Sequence, residues 1–187
     1  MAKVIFMHFD EKTDGIYDAK IGEPVVRLAK EKGIPIAFDK DHSKCLVSVE
    51  HISDEEPTSY MEDEELDELV KLDYNIGILS NKPHEFTLAY AKSLFSKYNI
   101  PQIHGQKSDV PKKPDPSAAI MIANSFNNPC EKTYFVGDTM VDMQTAVNAK
   151  MIGIGVLWGF RDEEELLTNG ADFIVKHPLD ILEIVNN

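Results

Sequence analysis

The sequence predicts an α/β fold: a mostly parallel sheet with helices on both faces and a small insertion after the first strand. Three observations carry that expectation. Short, continuous apolar runs recur along the chain. Amphipathic stretches separate them. The one segment that breaks the alternation follows the first run directly. Continuous apolar strands suit a parallel sheet covered on both sides, and alternation with helices suits crossover connections.

The runs at residues 4–9, 76–79, 134–136, 152–157 and 173–175 read as buried strands. Residues 62–72 read as a helix, with Leu66, Leu69 and Val70 at i, i+3, i+4 and an acidic start that favours the positive end of the helix dipole. Pro83 opens the next helix, on which Phe86, Tyr90 and Leu94 share a face. Ala119, Ile122, Ala123 and Phe126 mark a third helix, and Met143, Ala146 and Val147 a fourth. From about residue 60 the expected order is helix, strand, helix, short strand, helix, strand, helix, strand, helix, strand. Residues 15–56 differ. Residues 24–32 read as a helix stopped by Gly33 and Pro35, and 36–38 with 45–49 read as a β-hairpin. The expected organisation is therefore a core domain of residues 1–14 and 57–187 with a cap-like insertion at 15–56.

Composition narrows function. The 187 residues are 43% apolar and 27% charged, enough to bury a core. The net charge of −13 repels nucleic acid and anionic lipid, so neither is an expected partner. The longest apolar run, residues 151–160, is too short to cross a bilayer, and the first residues lack a signal-peptide pattern. Cys45 and Cys130 form no CxxC pair, and the six histidines show no metal spacing. Nucleophile-elbow, dinucleotide-binding and P-loop patterns are absent. A cytoplasmic protein, monomer or homodimer, is the expectation.

Three spots fall after predicted strands, the edge where open parallel sheets bind ligands. Ser80 and Asn81 lie between a strand and the helix start at Pro83, where a hydroxyl and free backbone N–H groups hold an anion or simply make a turn. Lys113 precedes a Pro-Asp-Pro segment, which suits a fixed point charge for a phosphate or an ordinary solvated lysine. Asp138 and Asp142 follow an apolar strand and Gly137. Two carboxylates at this spacing are expected to face one hard divalent cation.

In this order, Gly77-Ile78-Leu79-Ser80-Asn81-Lys82-Pro83, Lys113-Pro114-Asp115-Pro116 and Gly137-Asp138-Thr139-Met140-Val141-Asp142-Met143 resemble the second, third and fourth motifs of the haloacid dehalogenase (HAD) superfamily. The likeness is to its phosphoglycolate phosphatase-like members and covers residues 57–187. Gly155-Val156-Leu157-Trp158-Gly159-Phe160 and Gly170-Ala171-Asp172 sit where such phosphatases have similar stretches. The resemblance implies a Rossmann-like core with a cap after the first strand. It also implies Mg²⁺-dependent hydrolysis of a small phosphorylated metabolite through an aspartyl-phosphate. Ser80, Asn81 and Lys113 would bind phosphate, and Asp10, Asp138 and Asp142 would face the metal.

The first motif departs from the family's D-x-D-G-T. Three registers fit residues 3–15. Asp10 is the nucleophile with Lys12 in the acid/base position, or with Asp14 swinging in instead; or Met7 and Phe9 replace both aspartates and the site is dead; or Asp14 is the acid/base with Lys12 in the nucleophile position. Asp10, Lys12 and Asp14 are thus the candidate catalytic residues. A degenerate relative that binds phosphate or a partner without turnover is the alternative function, and a dehalogenase is a third. Trp158 and Phe160 are expected to pack in the core.

Overall fold

The computed structural model describes residues 3–7, 14–18, 36–38, 44–48, 63–159 and 161–186. Six parallel strands form the main sheet: β1 (Lys3–Met7), β5 (Tyr74–Pro83), β6 (Gln102–Gln106), β7 (Thr133–Gly137), β8 (Ile152–Val156) and β9 (Phe173–Val175). Their order is β6-β5-β1-β7-β8-β9. The chain moves outward from β1 in both directions, so β1 sits between the strands that carry the second and fourth motifs. A second sheet, antiparallel, has the order β2-β4-β3, from β2 (Asp14–Asp18), β3 (Ile36–Phe38) and β4 (Lys44–Ser48).

Helices cover both faces of the main sheet. On one face α1 (Asp63–Lys71) and the C-terminal α6 (Asp180–Val185) bury Leu66, Leu69, Ile181 and Val185 against Ile76, Ile78, Val136, Ile154 and Val175. On the other, α3 (Ser117–Ser125) and α4 (Met140–Ala149) bury Ala119, Ile122, Ala123, Ala146 and Ala149 against Leu79 and Phe135. Successive strand residues point to opposite faces, so Phe135 and Val136 enter different cores. Small alanines on α3 and α4 let these helices lie close to the large Phe135 ring. Burial of each large aliphatic side chain contributes roughly 1.5–3 kcal/mol.

The remaining helices are α2 (His84–Leu94) and α5 (Glu163–Thr168). The expected alternation holds from residue 63 onward, and α6 extends it by one helix. Two expected core positions are corrected: Val70 is 49% exposed and Val147 54%. Each lies one residue from a fully buried neighbour, Leu69 and Ala146. An adjacent position is turned about 100° around a helix, enough to leave a narrow contact stripe. Among the described residues no helix is long and apolar enough to cross a membrane.

The hairpin expected in residues 36–49 is present as β3 and β4, with Phe38 paired to Cys45. The third strand, β2, was not expected; it begins at Asp14, opposite Ser48. The helix expected at 24–32 lies outside the described residues. β3 lies against α2, joining the small sheet to the core beside β6.

α2 approaches the edge strand β6 closely because Gly105 has no side chain. A Cβ there would lie 2.3 Å from Thr87 Oγ1 and 2.6 Å from His84 Cα. The Gly105 N–H donates to His84 Nδ1 at 3.2 Å, and the His84 and His104 rings stand 6.5 Å apart. Burial first, and the Lys107 charge second, hold both imidazoles below their ordinary value of 6.5. Above that value both are neutral whether folded or unfolded. Below it the unfolded chain takes up protons that the folded chain refuses, so stability falls as pH falls. Protonation of His84 Nδ1 would also set it against the Gly105 N–H. The melting temperature is expected to drop as pH is lowered from about 7 to about 5.5. The drop should be smaller in the His84→Gln/His104→Gln variant, as thermal melts at both pH values would read.

Candidate active site

Ser80 and Asn81 lie at a break in the β5–β6 ladder. Leu79 pairs with His104 but Pro83 pairs with Gln106, so β5 carries two extra residues there. A bulge of this kind releases residues from ladder bonding and re-aims their side chains. The sequence placed Ser80 at a strand end; it stands instead inside β5, on this bulge. Ser80 is 2% exposed, and its Oγ accepts from Lys82 N at 3.1 Å.

Asn81 points across to the loop before α3. Its Oδ1 accepts from Lys113 N at 2.9 Å, and its Nδ2 donates to Lys113 O at 3.1 Å. One side-chain amide thus satisfies both backbone groups of Lys113, as a paired strand would. The phosphate contact expected of Asn81 is one of its backbone, and its side chain is given to Lys113. The loop is braced further by Asp115 N to Lys112 O, Ser117 N to Asp115 Oδ1, and Asn148 Nδ2 to Pro114 O.

The Lys113 side chain is 1% exposed, and its Nζ donates to Asp142 Oδ1 at 2.7 Å. The ammonium also lies 5.8 Å from the centre of the Phe135 ring, where a cation is attracted to the aromatic face. The solvated-lysine reading is therefore wrong for this residue.

Asp142 is 0% exposed and sits in the first turn of α4. Its Oδ2 accepts from Thr139 N at 3.2 Å and Thr139 Oγ1 at 2.6 Å, the return half of a capping box. Both Asp142 oxygens thus accept hydrogen bonds, Oδ1 from Lys113 and Oδ2 from Thr139. Gly137 makes room for this carboxylate: a Cβ there would lie 2.3 Å from Asp142 Cβ and 2.5 Å from its Cγ. Close approach, rather than a sharp turn, is what this glycine supplies.

Asp138, directly after β7, is 4% exposed. Gly159 lies over it, as a Cβ on Gly159 would fall 2.4 Å from Asp138 Oδ2. This is a tight, buried cradle for a hard oxygen donor. Among the described residues no three His, Cys, Asp or Glu side chains could hold a metal alone. Mg²⁺ takes few protein ligands, commonly one or two carboxylates with water and substrate phosphate, so Asp138 fits such an ion.

Asp10 and Lys12 lie outside the described residues. Asp14 opens β2 of the second sheet, not the end of β1. β1 stops at Met7, paired with Ile78, two residues before Ser80; its Phe6 pairs with Phe135, three before Asp138. A cavity of about 160 Å³ opens against Ser80, Asn81 and Lys113, with His104, Gln106 and Lys107 across from them. Trp158 packs against the first core, as expected; Phe160 lies outside the described residues. Sequence reasoning gave no role to Thr139 or Gly159, although both stood inside motifs it quoted. The Ser/Thr-x-x-Asp/Glu capping spacing was the readable signal for Thr139.

Removing one partner of a buried ion pair leaves an uncompensated charge and costs about 3–5 kcal/mol. Asp142→Ala is therefore expected to lower stability by about that amount. Lys113→Met/Asp142→Leu, which removes both charges, should recover most of it in urea melts. Equal loss in the two variants would show that the pair is not the source.

A family model for haloacid dehalogenase-like hydrolases matches residues 3–156. A phosphoglycolate phosphatase of Yersinia pestis is 28% identical over 110 residues, which is 59% of this chain and 47% of that protein. The chain thus spans about half the length of such curated relatives. The crystal structure of a hydrolase from Pseudomonas syringae superposes with a TM-score of 0.56 at 30% identity, over 66% of this chain and 58% of that one. A haloacid dehalogenase-like family hydrolase from Streptococcus pneumoniae, 17% identical, shares the fold over 98% of both chains with a TM-score of 0.59. With the parallel order of the main sheet and the three motifs joined through Lys113, these likenesses show that the chain belongs to the haloacid dehalogenase-like hydrolase family.

Proposed function

We propose that this protein is an Mg²⁺-dependent hydrolase of small phosphomonoesters, with phosphoglycolate the first substrate to try. One observation carries the reading. Asn81, Lys113 and Asp142, from three separate motifs, are bonded in series at the carboxyl edge of the sheet. A buried ammonium held this rigidly is a preorganised charge for a phosphoryl group. The likeness to phosphoglycolate phosphatases supports the choice of substrate.

Asp10 is assigned as the nucleophile. It lies three residues beyond Met7, the end of β1, and three residues span at most about 10 Å. Asp10 is therefore within chain reach of the edge where Ser80 and Asp138 sit. Its carboxylate attacks phosphorus, the ester oxygen leaves, and Asp14 gives that oxygen a proton. Water then hydrolyses the acyl phosphate, returning the carboxylate and releasing inorganic phosphate. Ser80 hydrogen-bonds the transferring group, and Lys113 offsets its charge. Lys12 offsets the surrounding carboxylates. Asp10 and Asp138 are the groups that would hold Mg²⁺, which when bound neutralises the phosphoryl oxygens. Asp142 stands one step back and fixes Lys113. The setting we assign is the cytoplasm.

Phosphate release from phosphoglycolate and from an aryl phosphate, with and without Mg²⁺, tests the proposal. Metal-dependent release is expected, reduced on the order of 10³-fold or more in Asp10→Asn. Asp138→Asn should lose metal dependence. Release unaffected by Asp10→Asn would contradict the nucleophile assignment, and no release from folded protein would contradict hydrolysis and leave a module that binds without turnover.

A further inference from the structure

We infer that Gly159 is a positioning residue for the Asp138 carboxylate: the turn after β8 presses its bare Cα onto that side chain and sets where the carboxylate stands. The inference rests on the phosphatase reading for its consequence in catalysis, and on packing geometry for the contact itself.

β7 and β8 are paired through Gly137 and Gly155, so Asp138 leaves the sheet level with Val156. Three residues later the chain has turned back over it. An ideal Cβ on Gly159 would lie 2.3 Å from Asp138 Cβ, 2.6 Å from Cγ and 2.4 Å from Oδ2. Every one of these is far inside van der Waals contact. The nearest atoms all belong to one residue, so the fit is specific to Asp138.

The turn has little freedom to retreat. Leu157 N donates to Val175 O at 3.0 Å on β9, and Trp158 packs against the first hydrophobic core. Asp138 is likewise held close to the end of β7, a central strand buried at Phe135, Val136 and Gly137. A methyl group at 159 must therefore displace the Asp138 Cβ itself and, with it, the carboxylate that Cβ carries. That moves the oxygen donors without removing them, which separates this role from that of a ligand.

Gly153, inside β8, does a different task. The atoms nearest a Cβ there would be Gly170 O at 3.3 Å, Ala146 Cβ at 3.4 Å and Met143 Sδ at 3.5 Å. Gly153→Ala is thus a packing control in the strand that leads into the turn.

The experiment combines metal binding with stability. Mn²⁺ titration followed by electron paramagnetic resonance should show at least tenfold weaker binding in Gly159→Ala than in wild type, and near wild-type binding in Gly153→Ala. Adding Gly159→Ala to Asp138→Asn should weaken binding no further. For the contact, melting temperatures of Gly159→Ala in the wild-type and Asp138→Gly backgrounds are compared. The substitution should lower the melting temperature in the first and have little effect in the second. This arm stays decisive even if Gly159→Ala alone fails to fold, since Asp138→Gly should then rescue it. Equal destabilisation in both backgrounds overturns the contact. Unchanged Mn²⁺ affinity in folded Gly159→Ala, with wild type binding normally, overturns this inference alone. Wild-type protein that binds no Mn²⁺ and releases no phosphate overturns the phosphatase reading, and this role with it.

Discussion

A lysine with its ammonium buried to 1% exposure needs a counter-charge, and the site is built around meeting that need. Taking both charges out of water costs several kcal/mol per ion, and only good geometry with the remaining groups satisfied repays it. Asp142 provides the counter-charge, and Thr139 occupies its second oxygen. Asn81 satisfies the lysine backbone, and the Phe135 ring lies beneath the ammonium. Each partner comes from a different part of the main sheet or its helices. The pair thus ties the β5 bulge, the loop before α3 and the start of α4 into one unit.

The same requirement explains two local irregularities. The bulge at residues 80–82 interrupts ladder bonding to β6, which is a cost unless the released groups find other partners. Thr87 Oγ1 donates to the Lys82 carbonyl, and Ser80 Oγ takes the Lys82 N–H. Gly137 lets the Asp142 side chain lie where any other residue would have a Cβ. This edge is therefore held by side-chain pairing as well as by the ladder.

Much of this was readable from residue types and spacing, and the limits have physical causes. The parallel sheet followed from apolar runs at residues 76–79, 134–136 and 152–157, because such runs have no other place to be buried. The three motifs could be placed at the sheet edge because each follows a strand. Their pairing could not. The i, i+4 spacing of Asp138 and Asp142 suggested a shared cation, but it says nothing of a lysine arriving from 29 residues earlier in the chain. Val70 and Val147 matched the helical period yet face outward, because a contact stripe is narrower than the apolar pattern. β2 was missed because its residues Asp14-Gly15-Ile16-Tyr17-Asp18 lack strong alternation, and only pairing with β4 makes them a strand. Gly159 gave no sign in sequence, since a close approach is made by the residue it approaches.

In the proposed function, the bonded Asn81–Lys113–Asp142 series holds a phosphoryl group. The most direct test is calorimetric titration of inorganic phosphate into the 187-residue protein in Mg²⁺. The comparison is Lys113→Met/Asp142→Asn, in which neither buried position carries a formal charge. Saturable binding of one phosphate per chain is expected, weakened at least tenfold in the folded double variant. Equal affinity in the two proteins would contradict that role, leaving the buried pair as a device of stability alone.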